Sequence, residues 1–380
     1  MERVLFYVQH LLGVGHVKRA TLIAQAMVEA GLDVHVVLGG TPVDGMTFDG
    51  CTCHELPQAR AADAAFSGLV DYNGRPVDDT WRDDRRDQLL ALYTDLAPDV
   101  LLIEQFPFGR RQFRFELLPL LDLALASKPR PRIVCSVRDI LVTKNTPAKH
   151  QQTVDYIDAY FDTVIVHGDP AFVPFETTFP LAYAFAGKIH YSGYVAPPEN
   201  PNTEDCVDTG RDEVIVAAGG GAVGADLMIC VARAKAQSSL SHLTWRFLIG
   251  PNLPSSIVSA IADLNDPGIL IEPNRSDYGA LLKNCTLSIS QGGYNTMMDI
   301  IRAGCAAIVV PFGSGDEDEQ SRRAAILHNH GYVTMIAETA LSLDLLSAGI
   351  NQAISRSHSK YSPFSLEGAT RTAGIITNKR

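Results

Sequence analysis

Residues 4–40 read VLFYVQHLLGVGHVKRATLIAQAMVEAGLDVHVVLGG. Val4–Val8 is an unbroken apolar run of strand length, and Gly13-Val14-Gly15-His16 comes shortly after it. Leu22, Ile23, Ala26, Met27 and Ala30 then recur at helical spacing. Gly31 is a natural helix stop. Val34–Leu38 is a second strand, closed by Gly39-Gly40. Strand, glycine turn, helix and strand in so short a span imply a parallel sheet flanked by helices.

The same grammar continues outward. Val100–Ile103, Ile133–Val137 and Val164–Val166 are short runs rich in β-branched residues, each followed by polar or glycine residues. In a parallel sheet, those strand ends carry the binding groups. Residues 59–85 read as irregular, with a turn at Asn73-Gly74-Arg75-Pro76. Residues 196–213, rich in proline and acids, read as a linker. Beyond it the pattern recurs: strand Val214–Ala217, loop Gly219–Gly224, helix Asp226–Ala236, and strands Phe247–Ile249, Ile269–Ile271, Leu287–Ser290 and Ile308–Val310. The reading is α/β with two Rossmann-like α/β/α domains: residues 1–195, then 214–364. Residues 365–380 form a closing helix, with Ser365 as its cap, that packs back on the first domain.

The chain has 380 residues and a formal net charge of −11, which argues against a general nucleic-acid coat. With 46% hydrophobic and 20% charged residues it is neither disordered nor a coiled coil. Seven cysteines, an odd number mostly inside apolar runs, read as buried thiols in a reducing compartment. The start of the sequence has no signal-type apolar core and no run of about 18 apolar residues follows. The expected location is the cytoplasm, with peripheral contact at the inner face of the membrane allowed.

Four constellations carry chemistry. Gly13-x-Gly15-His16 places a histidine at a helix start, where it either acts as a general base or orders the loop. No carboxylate ends the second strand, so a dinucleotide dehydrogenase is disfavoured. Gly219-Gly220-Gly221-Ala222-Val223-Gly224, between strand and helix, suits a phosphate cradle. It lacks the Lys-Ser/Thr ending of an ATPase loop. The most informative is Ser290-Gln291-Gly292-Gly293-Tyr294-Asn295-Thr296-Met297-Met298-Asp299. There a glycine turn opens a helix whose first N–H groups face an anion, and Asp299 sits one turn after Asn295. Asp299 is either a ribose ligand or an exposed helix acid. Lastly, Asp316-Glu317-Asp318-Glu319-Gln320 is either a solvated acidic loop or a helix start whose Glu319 and Gln320 hold sugar hydroxyls.

On these motifs the second half resembles the donor domain of two-domain GT-B glycosyltransferases, in particular family 28, the branch of the lipid-linked N-acetylglucosaminyl transferase of peptidoglycan synthesis. The segment Ser290–Gln320, with Ala324, follows that donor signature, and Gly15-His16 agrees with its N-terminal loop. The whole chain is also similar to a bacterial group of predicted glycosyltransferases through Glu104–Arg111, Ser136–Ile140 and Val166–Pro170. The resemblance implies two domains facing across a cleft. Gly15, Gly220, Gly221 and Ala222 would approach the donor, and Gly292, Gly293, Asn295 and Thr296 would complete its diphosphate site. Asp299 would bind the ribose, Ile271 the base, and Glu319 and Gln320 the sugar. His16 would be the catalytic base.

The implied reaction is metal-independent transfer with inversion (EC 2.4 class). A hexose or N-acetylhexosamine moves from a nucleotide diphosphate sugar, UDP favoured, to the hydroxyl of a glycan, lipid-linked or small-molecule acceptor. No metal or other cofactor is implied. A nucleotide-sugar 2-epimerase and a non-catalytic nucleotide-sugar binding protein are the alternatives. On the acceptor side, Arg110, Arg111 and Arg114 beside Phe108, Phe113 and Phe115 read either as a basic cluster for an acceptor phosphate or anionic lipid, or as a solvated face. Arg138-Asp139 and His167-Gly168-Asp169-Pro170 read either as cleft groups or as structural pairs.

Overall fold

The computed structural model describes the chain except residues 12–14, 44–45, 64–67, 142–145, 199–207, 220–223, 251–252, 314–318, 357–363 and 379–380. The chain divides into two compact units. The first comprises residues 1–196 and 364–380, the second residues 197–363.

The first unit runs β1 (Arg3–Val8), α1 (Gly15–Glu29), β2 (Asp33–Leu38), β3 (Thr52–Glu55), a small hairpin β4 (Arg60–Ala61) and β5 (Leu69–Val70), and α2 (Asp79–Leu96). It continues with β6 (Val100–Glu104), α3 (Arg114–Ala126), β7 (Arg132–Arg138), α4 (Pro147–Tyr160), β8 (Thr163–His167) and β9 (Ile189–Tyr191). Its main sheet has the order β3-β2-β1-β6-β7-β8-β9, with parallel pairings throughout. Strands β6 and β8 are buried along their whole length, as expected of a sheet covered on both faces. The chain moves outward from β1 to β3, then returns to place β6 on the other side of β1. That reversal makes the carboxyl ends of β1 and β6 the crevice of this sheet.

The second unit runs β10 (Glu213–Ala217), α5 (Ala225–Ala234), β11 (Thr244–Ile249), α6 (Ser255–Ala262), β12 (Ile269–Pro273), α7 (Tyr278–Asn284) and β13 (Leu287–Gln291). Then come α8 (Tyr294–Ala303), β14 (Ala307–Val310), α9 (Glu319–Asn329), β15 (Thr334–Met335) and α10 (Leu343–Ser355). Its sheet, β12-β11-β10-β13-β14-β15, is also parallel. The order reverses between β10 and β13. The carboxyl ends of β10, at Ala217, and of β13, just before the Gly292-Gly293 turn, therefore lie side by side.

Two expectations need correction. Residues 59–85 are not irregular throughout: they hold the hairpin, and α2 begins at Asp79 with Asp78 accepting from the Trp81 N–H. The helical period is hidden because Arg85, not an apolar residue, takes a fully buried position on α2. Nor is Ser365 the cap of the last helix. That helix, α11 (Gly368–Thr377), starts behind Glu367, which is held in a β-bridge to Val195, and the Ser365 hydroxyl accepts from the Glu367 N–H at 3.3 Å. Two glycines permit this crossing. A Cβ on Gly368 would lie 2.6 Å from the Tyr194 carbonyl carbon, and one on Gly193 2.8 Å from the Ser365 oxygen. Ala373 and Ile376 of α11 join the core formed by Ile23, Met27 and Val195 in the first unit.

Candidate functional site

In the first unit, three charged or titratable side chains meet where β1 and β6 end. Glu104 is the last residue of β6 and is 1% exposed. Arg19, on the buried face of α1, places a guanidinium nitrogen 2.6 Å from Glu104 Oε1. His16, in the first turn of α1, sets Nδ1 3.2 Å from the same oxygen and 3.1 Å from Arg19. Arginine only donates, so Arg19 bonds Nδ1 only when Nδ1 lacks a proton. When Nδ1 carries its proton toward Glu104, Nε2 holds the free lone pair a general base needs. Burial is the main cause that brings the His16 pKa down to about 4, with Arg110 and Arg19 acting in the same direction and Glu104 opposing them. Burial alone would raise Glu104, but Arg19 and His16 outweigh it and hold the carboxyl at about 2. At neutral pH this is an ionised glutamate, a paired arginine and a neutral imidazole. Gly15 is the first residue of α1, whereas Gly13 and Val14 lie outside the described residues. The sequence reading did not single out Glu104 as a partner of His16, or Arg19 at all.

Around this trio the strand ends are pinned by buried polar groups. Arg85 donates to Glu116 at 2.7 Å, to Gln9 at 2.6 Å and to the carbonyls of Gly39 and Pro57, while Tyr7 donates to Glu116. The ends of β1 and β2 are thereby fixed to α2 and α3. His167, fully buried at the end of β8, sits between Ser136 at 2.7 Å and Ser192 at 2.8 Å, and burial drives its pKa to about 3. It is a neutral latch between strands. Asp139 accepts from the Tyr194 hydroxyl at 2.7 Å and from the Ile140 N–H. The arginines beside the phenylalanines do not form one cluster. Arg110 turns back to donate to the Gln9 carbonyl at the end of β1, Arg111 bonds Lys149 and Thr153 of α4, and Arg114 is exposed with Gln152. Phe108 and Phe113 are buried in the core between them.

The second unit presents backbone at its crevice. Gly293 occupies the N-cap of α8 without a side-chain cap bond, and Gly224 does the same for α5 with φ +102. Helix first turns have N–H groups with no partner in the helix, and here no cap side chain takes them. Gly292 and Gly293 differ. A Cβ on Gly292 would lie 3.1 Å from Pro311 Cα and Val309 Cγ1, whereas one on Gly293 would meet nothing within 4 Å. Gly292 therefore serves packing, and Gly293 keeps a surface open. Asn295, Thr296 and Asp299 follow on α8, with Asp299 half-buried. Gly220, Gly221, Ala222 and Val223 lie outside the described residues, as do Asp316, Glu317 and Asp318.

The structure brings the Gly292–Asp299 motif together with Glu319 and Gln320. β13 and β14 are neighbours, and Arg323 of α9, fully buried, lies 4.9 Å from the centroid of the Tyr294 ring. Arg323 also donates to Glu319 at 3.0 Å, and Gln320 Oε1 accepts from the Phe312 N–H at 3.1 Å. Glu319 thus has one carboxylate oxygen held by its own helix. Ile271 lies on the edge strand β12, its side chain against the core. A ligand would reach the Ile271 position through the backbone. At about 4.8 Å between strands, β12 is roughly 10 Å from β10, a span comparable to a nucleoside.

Two doubly wound parallel-sheet units of this kind define the GT-B fold, and solved structures of that fold align over nearly the whole chain. MurG of Acinetobacter baumannii superposes with a TM-score of 0.60 over 99% of this chain and 94% of its own, at 14% identity. The glycotransferase of kitacinnamycin does so with a TM-score of 0.63 over 98% and 95%, at 13% identity. At such identities these likenesses show the fold alone. Residues 214–373 match the glycosyltransferase family 28 C-terminal domain. A UDP-N-acetylglucosamine--N-acetylmuramyl-(pentapeptide) pyrophosphoryl-undecaprenol N-acetylglucosamine transferase of Nostoc punctiforme is 26% identical over 87 residues, 23% of this chain and 24% of that relative's length. The fold is therefore that of the GT-B class, and residues 214–373, most of the second unit, are similar to the family 28 C-terminal domain.

Proposed function

We propose that the protein transfers a hexose or N-acetylhexosamine from a nucleotide diphosphate sugar to an acceptor hydroxyl, with inversion and without a metal ion. The observation that carries this reading is the His16–Glu104–Arg19 arrangement at the crevice of the first sheet. It supplies a neutral imidazole oriented by a buried carboxylate, as deprotonation of a hydroxyl requires. His16 Nε2 takes the proton as the hydroxyl oxygen attacks the anomeric carbon and the bond to the diphosphate breaks. Glu104 stabilises the imidazolium that forms.

The leaving diphosphate is received in the second unit by the first-turn N–H groups of α8 at Asn295 and Thr296, with Gly293, whose own N–H is bonded to the Gln291 carbonyl, leaving room for it. The loop holding Gly220, Gly221 and Ala222 completes the cradle, and the helix N-terminus supplies the positive potential. Asp299 takes the ribose hydroxyls, the Ile271 backbone the base, and Gln320 with Glu319 the sugar. UDP is the favoured carrier, supported by the family 28 match and by the UDP-sugar in the printed name of the Nostoc relative. No helix among the described residues is long and apolar enough to cross a membrane. We place the protein in the cytoplasm, with peripheral contact at the inner face of the membrane when its acceptor is lipid-linked.

Calorimetry with UDP, GDP and dTDP and their sugars in chelator-treated buffer tests the donor half. The expected result is micromolar binding of one diphosphate, weakened by Asp299→Ala. Absence of binding by all three would remove the donor assignment. Conversion of the sugar at C2 without an acceptor would instead favour the epimerase.

A further inference from the structure

The segment Glu104–Arg110 holds more unsatisfied polar groups than a base and its carboxylate partner need. Glu104 Oε2 is buried with no donor, and Gln105, 5% exposed, has its Nε2 buried with no acceptor. Gln105 and Arg110 both adopt left-handed backbone, with φ of +69 and +57. Such conformations are strained in a residue with a Cβ and cluster at ligand sites. The Gln105 N–H is tied to the Ser136 carbonyl at 2.8 Å and the Gly109 N–H to the Gln105 carbonyl at 2.7 Å, so the loop is held tightly in this form.

Arg110 is the third element. Its Nε donates to the Gln9 carbonyl at 2.5 Å, which fixes the guanidinium at the end of β1. Its two terminal nitrogens have no hydrogen-bond partner among the described residues. It lies within electrostatic reach of Glu104, Arg138 and Arg19, and Arg19 already pairs with Glu104. One fixed cation therefore stands beside the base with its fork unfilled.

We propose that this corner is an acceptor subsite for an oxyanion, a carboxylate or a phosphate ester, carried near the hydroxyl that His16 deprotonates. Arg110 grips two oxygens of the anion through its terminal nitrogens, and the Gln105 amide N–H donates to it as well. Glu104 Oε2 accepts from a further hydroxyl or N–H of the same acceptor. The acceptor is then selected by charge: a neutral alcohol leaves Gln105 and Arg110 unsatisfied, which costs more than a missing contact. This rests on the transferase reading for the role of the ligand as acceptor, but not for the binding of the anion.

Two measurements test it. The first is release of nucleoside diphosphate with matched acceptors: glycerol against glycerol 3-phosphate and glycerate, and glucose against glucose 6-phosphate and glucuronate. The anionic member of a pair is expected to have at least tenfold higher kcat/KM. Arg110→Gln and Gln105→Glu should erase that advantage through KM while the donor KM stays constant, Arg110→Lys should restore part of it, and Arg114→Gln should change nothing. The phosphate and carboxylate members tell which anion is preferred. Equal use of neutral and anionic acceptors, or variants that damage both alike, would overturn the proposal.

The second measurement is thermal protection of the full chain by inorganic phosphate and by acetate, which needs no turnover. Protection abolished by Gln105→Glu supports the subsite even if no acceptor reacts, in which case the transferase reading fails alone. Protection indifferent to Gln105→Glu and Arg110→Gln, or no protection, overturns it.

Discussion

The two sheets reverse their strand order in the same way, yet the crevices they create are furnished differently. In the first unit the strand ends carry side chains that titrate or pair: half-buried His16, buried Arg19 and Glu104, and behind them Arg85 with Glu116. In the second they carry glycines and helix starts without capping side chains. In the function proposed above, the first arrangement would move a proton and the second would hold an anion by its backbone, one task for each half of the chain.

The largest expected effect separates the two. His16→Ala should lower kcat by about 10²–10⁴, the usual worth of a positioned general base, with nucleotide affinity unchanged by calorimetry. Glu104→Gln leaves Arg19 buried without its carboxylate, a loss of about 3–5 kcal/mol that urea denaturation would register. It also removes the charge that supports the His16 pKa, so the acidic limb of kcat/KM moves below pH 4. In the second unit the effects should fall on binding. Asp299→Ala should weaken the nucleoside diphosphate about tenfold, the loss of a charge-assisted hydrogen bond, without altering the pH profile.

The two adjacent glycines sharpen the comparison further. Gly292→Ala must displace Pro311 or Val309 and should lower stability by about 1–3 kcal/mol, as overpacking does. Gly293→Ala should leave stability within about 1 kcal/mol and act instead on donor KM, because its Cβ projects into the open space at the α8 start.

A separate effect, on pH, belongs to the first unit. Burial holds His16 at about 4 and His167 at about 3, against an ordinary value of 6.5. Between pH 6.5 and 4 the unfolded chain binds protons that the folded chain refuses. Stability should therefore fall as the pH drops through that window, by up to about 1.4 kcal/mol per pH unit for each histidine. Denaturation midpoints at pH 7 and pH 5 measure it, and equal midpoints would contradict the neutral state of both rings.

The sheets were legible in the sequence because strands buried on both faces leave continuous apolar runs, as Val100–Ile103 and Val214–Ala217 do. The glycine turn at 292–293 was legible because only a small residue suits the close approach at Gly292. What did not show was polar burial. Arg85 sits inward on α2 in a stretch, DDTWRDDRRD, that reads as wholly solvated. Arg19 is hidden among the residues of an amphipathic helix. Glu104 lies 88 positions from His16 and meets it only because the chain returns to the other side of β1. No local period records such a partnership. The arginines at 110, 111 and 114 looked like one patch because proximity in sequence was all there was to read. The turn of the chain at Arg110, in left-handed backbone, sends them to three different partners.

The division of labour between the units is tested most directly by measuring kcat and nucleotide Kd side by side for His16→Ala and Asp299→Ala. The expected result is a double dissociation: His16→Ala lowers kcat by about 10²–10⁴ and keeps Kd within about twofold, while Asp299→Ala weakens Kd about tenfold and keeps the pH dependence of turnover. If His16→Ala weakened nucleotide binding as much as it slowed turnover, the histidine would belong to the donor site and the account would be wrong.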